Sequence, residues 1–100
     1  MTASVIRRLV IHGRVQGVGY RAFVEEEAAT FGLDGWVRNR RDGTVEAVVA
    51  GPAEAVDAMV ASCRKGPFSA RVDRVDLSHA GTDSLSLRQR GERFSVLSTV

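Results

Sequence analysis

The stretch of this chain best suited to chemistry is Gly13-Arg14-Val15-Gln16-Gly17-Val18-Gly19-Tyr20-Arg21, three glycines closed by an arginine. It follows a largely apolar stretch, Val5 to Ile11, interrupted by Arg7 and Arg8, and precedes a segment with helical spacing. A glycine-rich loop between a strand and a helix can curl so that successive backbone N–H groups face one concavity, because glycine reaches the φ > 0 conformations such a nest needs. A nest of that kind binds an anion. The helix behind it adds unsatisfied N-terminal amides and the positive end of its dipole, and an arginine in the first turn adds a planar fork of donors matched to phosphate oxygens. The candidate phosphate-binding residues are therefore Val15, Gln16, Gly17, Val18, Gly19, Tyr20 and Arg21. The plainer alternative, a tight strand-to-helix turn beside a solvated arginine, stays open on the glycines alone.

Two other phosphate motifs fail on context. Gly17, Gly19 and Ala22 satisfy a variant of the dinucleotide fingerprint. That fold also needs an acidic residue roughly 20 positions on, at the end of a second parallel strand. The nearest candidate, Asp42, sits beside Gly43 in a hairpin turn. No Gly-Lys-Ser or Gly-Lys-Thr follows, which excludes a Walker-type nucleotide loop.

Few other residues offer chemistry. Asn39 is the only asparagine and stands where a strand meets its turn, a place where such side chains satisfy nearby backbone groups. His12 and His79 read as strand residues, and Glu25, Glu26 and Glu27 as a solvated helix face. No zinc spacing is recognisable, and no cluster of Asp or Glu is spaced to hold magnesium. Arg14, Arg38, Arg40 and Arg41 fall near the mouth of the loop, where they would steer anions or simply be solvated.

The elements that must position these residues follow from periodicity. Residues 5 to 12 are largely β-branched or apolar around Arg7 and Arg8 and hold no turn residue, which predicts a buried strand with no separable faces. Tyr20, Val24, Ala28 and Phe31 recur at helical spacing, with Gly32 as the C-cap. Leu33 to Arg40 predicts a strand, Asp42-Gly43 its hairpin turn and Thr44 to Ala50 its partner. After Gly51-Pro52, Val56, Met59, Val60 and Cys63 form the apolar stripe of a second helix. Val72 to Ser78 then alternates Val75 and Leu77 against Arg74, Asp76 and Ser78, as a half-buried strand does. Residues 81 to 93 read as a polar loop in which Leu85 and Leu87 could add a short strand, and Phe94 to Leu97 as a last strand. The order is the ferredoxin-like βαββαβ pattern: an α+β sandwich of an antiparallel sheet with two helices on one face, and an extra C-terminal strand.

Composition is that of a globular domain, 44% hydrophobic and 26% charged, and its length of 100 residues predicts a single domain over 1–100. One cysteine cannot make an internal disulfide, and neither a membrane-length apolar run nor a signal peptide is evident, so a cytoplasmic location is the expectation. A net charge of +2 argues only weakly for anionic partners.

The whole string from Gly13 to Arg21 resembles the signature of the acylphosphatase family, with every position matched. A second block matches too: Gly35-Trp36-Val37-Arg38-Asn39-Arg40, then Asp42-Gly43-Thr44-Val45-Glu46. The resemblance runs from about Leu9 to Val75. It departs from the family at Phe68, where a second proline is common, and finds no family pattern in residues 81 to 93. What it implies is hydrolysis of acyl phosphates on the same ferredoxin-like fold, with Arg21 and Asn39 as the catalytic residues: Arg21 holding the phosphate and Asn39 orienting the attacking water. No cofactor and no metal are expected, and inorganic phosphate should bind as product or competitor. A monomer without nucleic-acid or membrane partners completes the expectation. RNA-binding modules on related βαββαβ folds stack bases on aromatics of the two central strands, and neither Val5–Ile11 nor Thr44–Ala50 has one. A regulatory domain that keeps the anion site without turnover also fits the sequence.

Overall fold

The computed structural model describes residues 3–100. Its elements run β1 (Ser4–Arg14), α1 (Tyr20–Phe31), β2 (Asp34–Asn39), β3 (Val45–Pro52), α2 (Ala53–Lys65), β4 (Arg71–His79), a 3₁₀ turn (Thr82–Leu87) and β5 (Phe94–Val96). The sheet order is β4-β1-β3-β2-β5. Its first four strands pair antiparallel, as the pattern predicts, while β5 lies parallel to β2 with Val37 opposite Val96, so the sheet is mixed.

Alternation decides which side of the sheet is dry. Leu9 and Ile11 of β1, Val37 of β2, Val45, Ala47 and Val49 of β3 and Val75 of β4 are buried in one cluster with Tyr20, Val24 and Ala28 of α1 and Val56, Met59 and Cys63 of α2. Both helices thus cover the same face. The apolar stripes read from the sequence face this core, with Phe31 of α1 only partly buried, and α1 ends at Gly32 in the left-handed conformation that a C-cap glycine adopts.

Three expectations are corrected. β1 is not dry on both sides: Arg8, Val10 and His12 project away from the helices and only Leu9 and Ile11 are buried. Leu77 does not share the burial of Val75, being 45% exposed, because β4 is an edge strand with only β1 beside it. Nor do Leu85 and Leu87 form a strand. They lie in the 3₁₀ turn, which packs over the open face and accepts a 2.8 Å hydrogen bond at the Ser84 carbonyl from the indole of the buried Trp36.

At the end of β1 the register with β4 slips between His12 and Gly13. A Cβ on Gly13 would lie 2.1 Å from the Arg71 carbonyl oxygen, so only glycine lets the two backbones approach here. Such a bulge bends its strand. Here the bend comes just before the glycine loop.

Candidate active site

The loop between β1 and α1 is tied down on three sides. The side chain of Val15 is buried in the core. The Gln16 amide donates from Nε2 to the carbonyls of Arg40 and Thr44, at 2.7 and 2.8 Å, which hooks the loop onto the β2–β3 hairpin. The Val18 carbonyl accepts from Ser69 Oγ at 3.0 Å, and the Val18 side chain packs against the core. Between these anchors Gly17 and Gly19 have φ of 72° and 78°. Nothing lies within 4 Å of where their Cβ atoms would stand, so crowding is not what calls for glycine. The left-handed backbone is.

Helix α1 begins where the loop ends, with Gly19 as an N-cap that has no side chain to offer. No acidic residue stands in its first turn. The first-turn amides and the positive end of the dipole are therefore left to whatever occupies the space in front of them. Arg21 adds a charge there, half-buried, and its guanidinium makes no hydrogen bond or ion pair with any described residue. Tyr20 turns inward: its ring is buried and its hydroxyl donates to the Cys63 carbonyl at 2.7 Å. Burial, together with that contact, raises the phenol above its ordinary value, so Tyr20 can offer an anion only its backbone.

Asn39 is the last residue of β2 and, two positions from Val37, shares the helix-covered face. Its Oδ1 is buried and has no hydrogen-bond partner among the described residues. A buried acceptor left that way costs about 1–3 kcal/mol, so the geometry calls for a partner from outside the chain. Its backbone, by contrast, is held on both sides, by Val45 in β3 and by the Val100 amide at 3.2 Å.

These groups meet in one cavity of about 490 Å³, lined by Val15, Gly17, Gly19, Tyr20, Arg21 and Asn39 together with Ala22, Glu25 and Val96. Of the residues expected from the sequence, Gln16 and Val18 stand outside the lining, as anchors of the loop. None of Arg14, Arg38, Arg40 and Arg41 lines it either. Arg38 projects from the opposite face, where its Nε is 2.8 Å from Glu46 Oε1 and its guanidinium stacks 4.6 Å over Trp36. The buried Glu46 is shared with Arg8, whose Nε lies 3.2 Å from Oε2 but out of line for a hydrogen bond. His12 is on that face too, 2.9 Å from Asp76, whose carboxyl Arg74 and then His12 hold below the usual range. Among the described residues no group of three His, Cys, Asp or Glu side chains could hold a metal ion.

Three lining residues escaped the sequence reading: Ala22, which entered it only through the rejected dinucleotide pattern, Glu25 and Val96. Glu25 was legible in principle, one helical turn from Arg21, but the run of three glutamates masked it as solvated surface. Val96 carried no signal, since its place depends on β5 adding in parallel to β2.

The comparisons with known proteins agree with one another. The acylphosphatase family model matches residues 7–95. An acylphosphatase of Rhodopseudomonas palustris (strain BisB18) is 57% identical over 98 residues, which is 98% of this chain and 99% of that protein. One of Bradyrhizobium diazoefficiens is 61% identical over the same length, with the same coverage. Among solved structures, the acylphosphatase from Bacillus subtilis superposes with a TM-score of 0.79 at 35% identity, covering 93% of this chain and 98% of that one. The acylphosphatase from Coxiella burnetii gives 0.81 at 26% identity, covering 94% and 93%.

Proposed function

The chain belongs to the acylphosphatase family, and from that membership we propose that it hydrolyses acyl phosphates, with the loop from Val15 to Tyr20 and Arg21 holding the phosphoryl group and Asn39 orienting the water. The observation that carries the assignment of roles is the pairing, in one cavity, of an arginine with no counter-ion and a buried Asn39 Oδ1 with no partner among the described residues. The first suits phosphoryl oxygens. The second can accept a hydrogen bond from a water and so hold its oxygen lone pair toward phosphorus.

The reaction asks little else of the protein. The water oxygen bonds to phosphorus, the bond from phosphorus to the acyl oxygen breaks, and its electron pair leaves on a carboxylate; the protons of the water end on inorganic phosphate and solvent. A carboxylate is a weak base, so its departure needs no general acid. Catalysis is then positioning plus stabilisation of charge on the equatorial oxygens, which backbone amides and one guanidinium supply. A pocket lined by no histidine, whose one carboxylate is the exposed Glu25, favours an enzyme of activated substrates over a phosphomonoesterase. We read the protein further as a cytoplasmic monomer, which rests on composition; among the described residues no helix is long and apolar enough to cross a membrane.

The test is release of phosphate from benzoyl phosphate, beside a phosphate monoester and ATP. Benzoyl phosphate should be consumed and the other two left nearly untouched. Arg21→Gln should weaken binding of both substrate and inorganic phosphate and lower turnover. Asn39→Ala should keep phosphate binding, read as the rise in melting temperature with phosphate, and lose turnover by roughly 10² or more, as removal of one well-placed polar group does in comparable sites. Normal turnover by Asn39→Ala would return Asn39 to the role of a turn residue.

A further inference from the structure

The cavity, about 490 Å³, is larger than a phosphoryl group needs, and its lining is mixed in character. Besides the loop glycines, Arg21 and Asn39, the lining includes the apolar Ala22 and Val96 and the exposed Glu25. Glu25 is four residues beyond Arg21 on α1, about 6 Å farther along the axis at 1.5 Å per residue. The two do not pair: neither makes an ion pair or hydrogen bond with the other or with any described residue. Glutamate C-terminal to arginine is the less favourable order for such a pair, and here both charges stay available to the cavity. The potential thus runs from positive at the phosphoryl end to negative one helical turn away.

Resting on the reading of the site given above, we propose that the Ala22–Val96 flank receives the acyl group and that Glu25 sets its charge class. Once the phosphoryl oxygens are on the loop and Arg21, the acyl carbons have the α1–β5 flank to follow. Apolar acyl groups are accepted there by contact with Ala22 and Val96. An acyl group that ends in a second anion, a carboxylate or another phosphate, meets Glu25 and is disfavoured. A like charge a few Å away, near a protein surface, is worth about tenfold or more, and because the rim is open to solvent the penalty falls with added salt.

A matched pair of four-carbon substrates tests this: butyryl phosphate, and succinyl phosphate, which differs in its terminal carboxylate. The readout is the ratio of their kcat/KM values at low and at high ionic strength, for the wild type, Glu25→Gln and Glu25→Lys. Gln and Lys have helix propensities close to that of Glu, and position 25 is exposed, so both variants should fold. The wild type should favour butyryl phosphate by about tenfold, the ratio shrinking with salt. Glu25→Gln should remove most of the preference, and Glu25→Lys should reverse it. A ratio that is the same in wild type and Glu25→Gln, or a wild type that prefers succinyl phosphate, overturns the role of Glu25 while leaving hydrolysis intact. Failure of the wild type to turn over either substrate overturns the catalytic reading and this one with it.

Discussion

The backbones of Asn39 and Val100 are joined: the Val100 amide donates to the Asn39 carbonyl at 3.2 Å, and the Val100 carbonyl accepts from the Arg41 amide at 2.7 Å. The segment after β5 thus continues alongside β2 and clasps the residue proposed to orient water, from the side that β3 does not cover. Removal of Ser98–Val100 should cost about 0.5–1.5 kcal/mol for each lost bond. In a domain of this size that is a fall of several degrees in Tm. Turnover should fall several-fold while phosphate binding holds, because Asn39 is loosened and Arg21 is not. Unchanged kcat in the shortened chain would mean that pairing with β3 alone positions Asn39.

Gln16 is expected to act on the loop and not on the substrate. Its amide donates two half-buried hydrogen bonds to carbonyls of the β2–β3 hairpin, so Gln16→Ala should destabilise by about 1–3 kcal/mol. Gln16→Glu should destabilise more, since a carboxylate presents acceptors to the Arg40 and Thr44 carbonyls. Urea unfolding of the three proteins ranks them. A variant that lost phosphate affinity at full stability would show instead that Gln16 touches the ligand.

Turnover at saturating substrate should be nearly level between about pH 5 and 8, since arginine stays charged and amides do not titrate there. His12 is tied to Asp76 on the face away from the cavity, and a histidine acting as base would give a limb near pH 6.5. Chelation by EDTA should leave the rate unchanged. Initial rates against pH, with and without EDTA, measure both. A one-proton limb abolished by His12→Gln, or activity lost on chelation and restored by magnesium, would overturn the proposed chemistry.

Stability should decline in alkali for a reason lodged in the core. Burial pushes the Cys63 thiol from its ordinary 9.0 up to about 12, and burial likewise raises the Tyr20 phenol. Groups whose pKa is raised on folding contribute stability that is complete below the unfolded value and lost as pH climbs toward the folded one. Unfolding free energy should therefore be flat from pH 7 to about 9 and then fall as the unfolded chain ionises Cys63 and, next, Tyr20. Cys63→Ala, destabilised overall by the cavity it leaves, should show a shallower fall above pH 9. An equal slope in both proteins would assign the alkaline limb to other groups.

Much of this was legible in the sequence because it is local. Gly17 and Gly19 announce left-handed backbone wherever the chain goes next, Tyr20, Val24 and Ala28 mark one helix face by their spacing, and Asp42-Gly43 turns a hairpin between any two strands. The string from Gly13 to Arg21 and the block around Asn39 carried the family and the candidate site for the same reason: their residue types determine what the loop can bind before anything packs against it. What the tertiary structure decided depends on neighbours distant in sequence. Alternation along β4 says that residues take turns, but not that Leu77 lies on an uncovered edge, and β1, whose faces could not be separated in sequence, gave no sign that one of them stays open. Arg38 and Asn39 are adjacent in the chain and part company only because the helices cover one side of β2, sending Asn39 to the cavity and Arg38 to Glu46 and Trp36. Val96 reaches the cavity through a parallel pairing with Val37, 59 residues apart in the sequence by their numbers, and a pairing that closes so long a loop leaves no periodic trace in either strand.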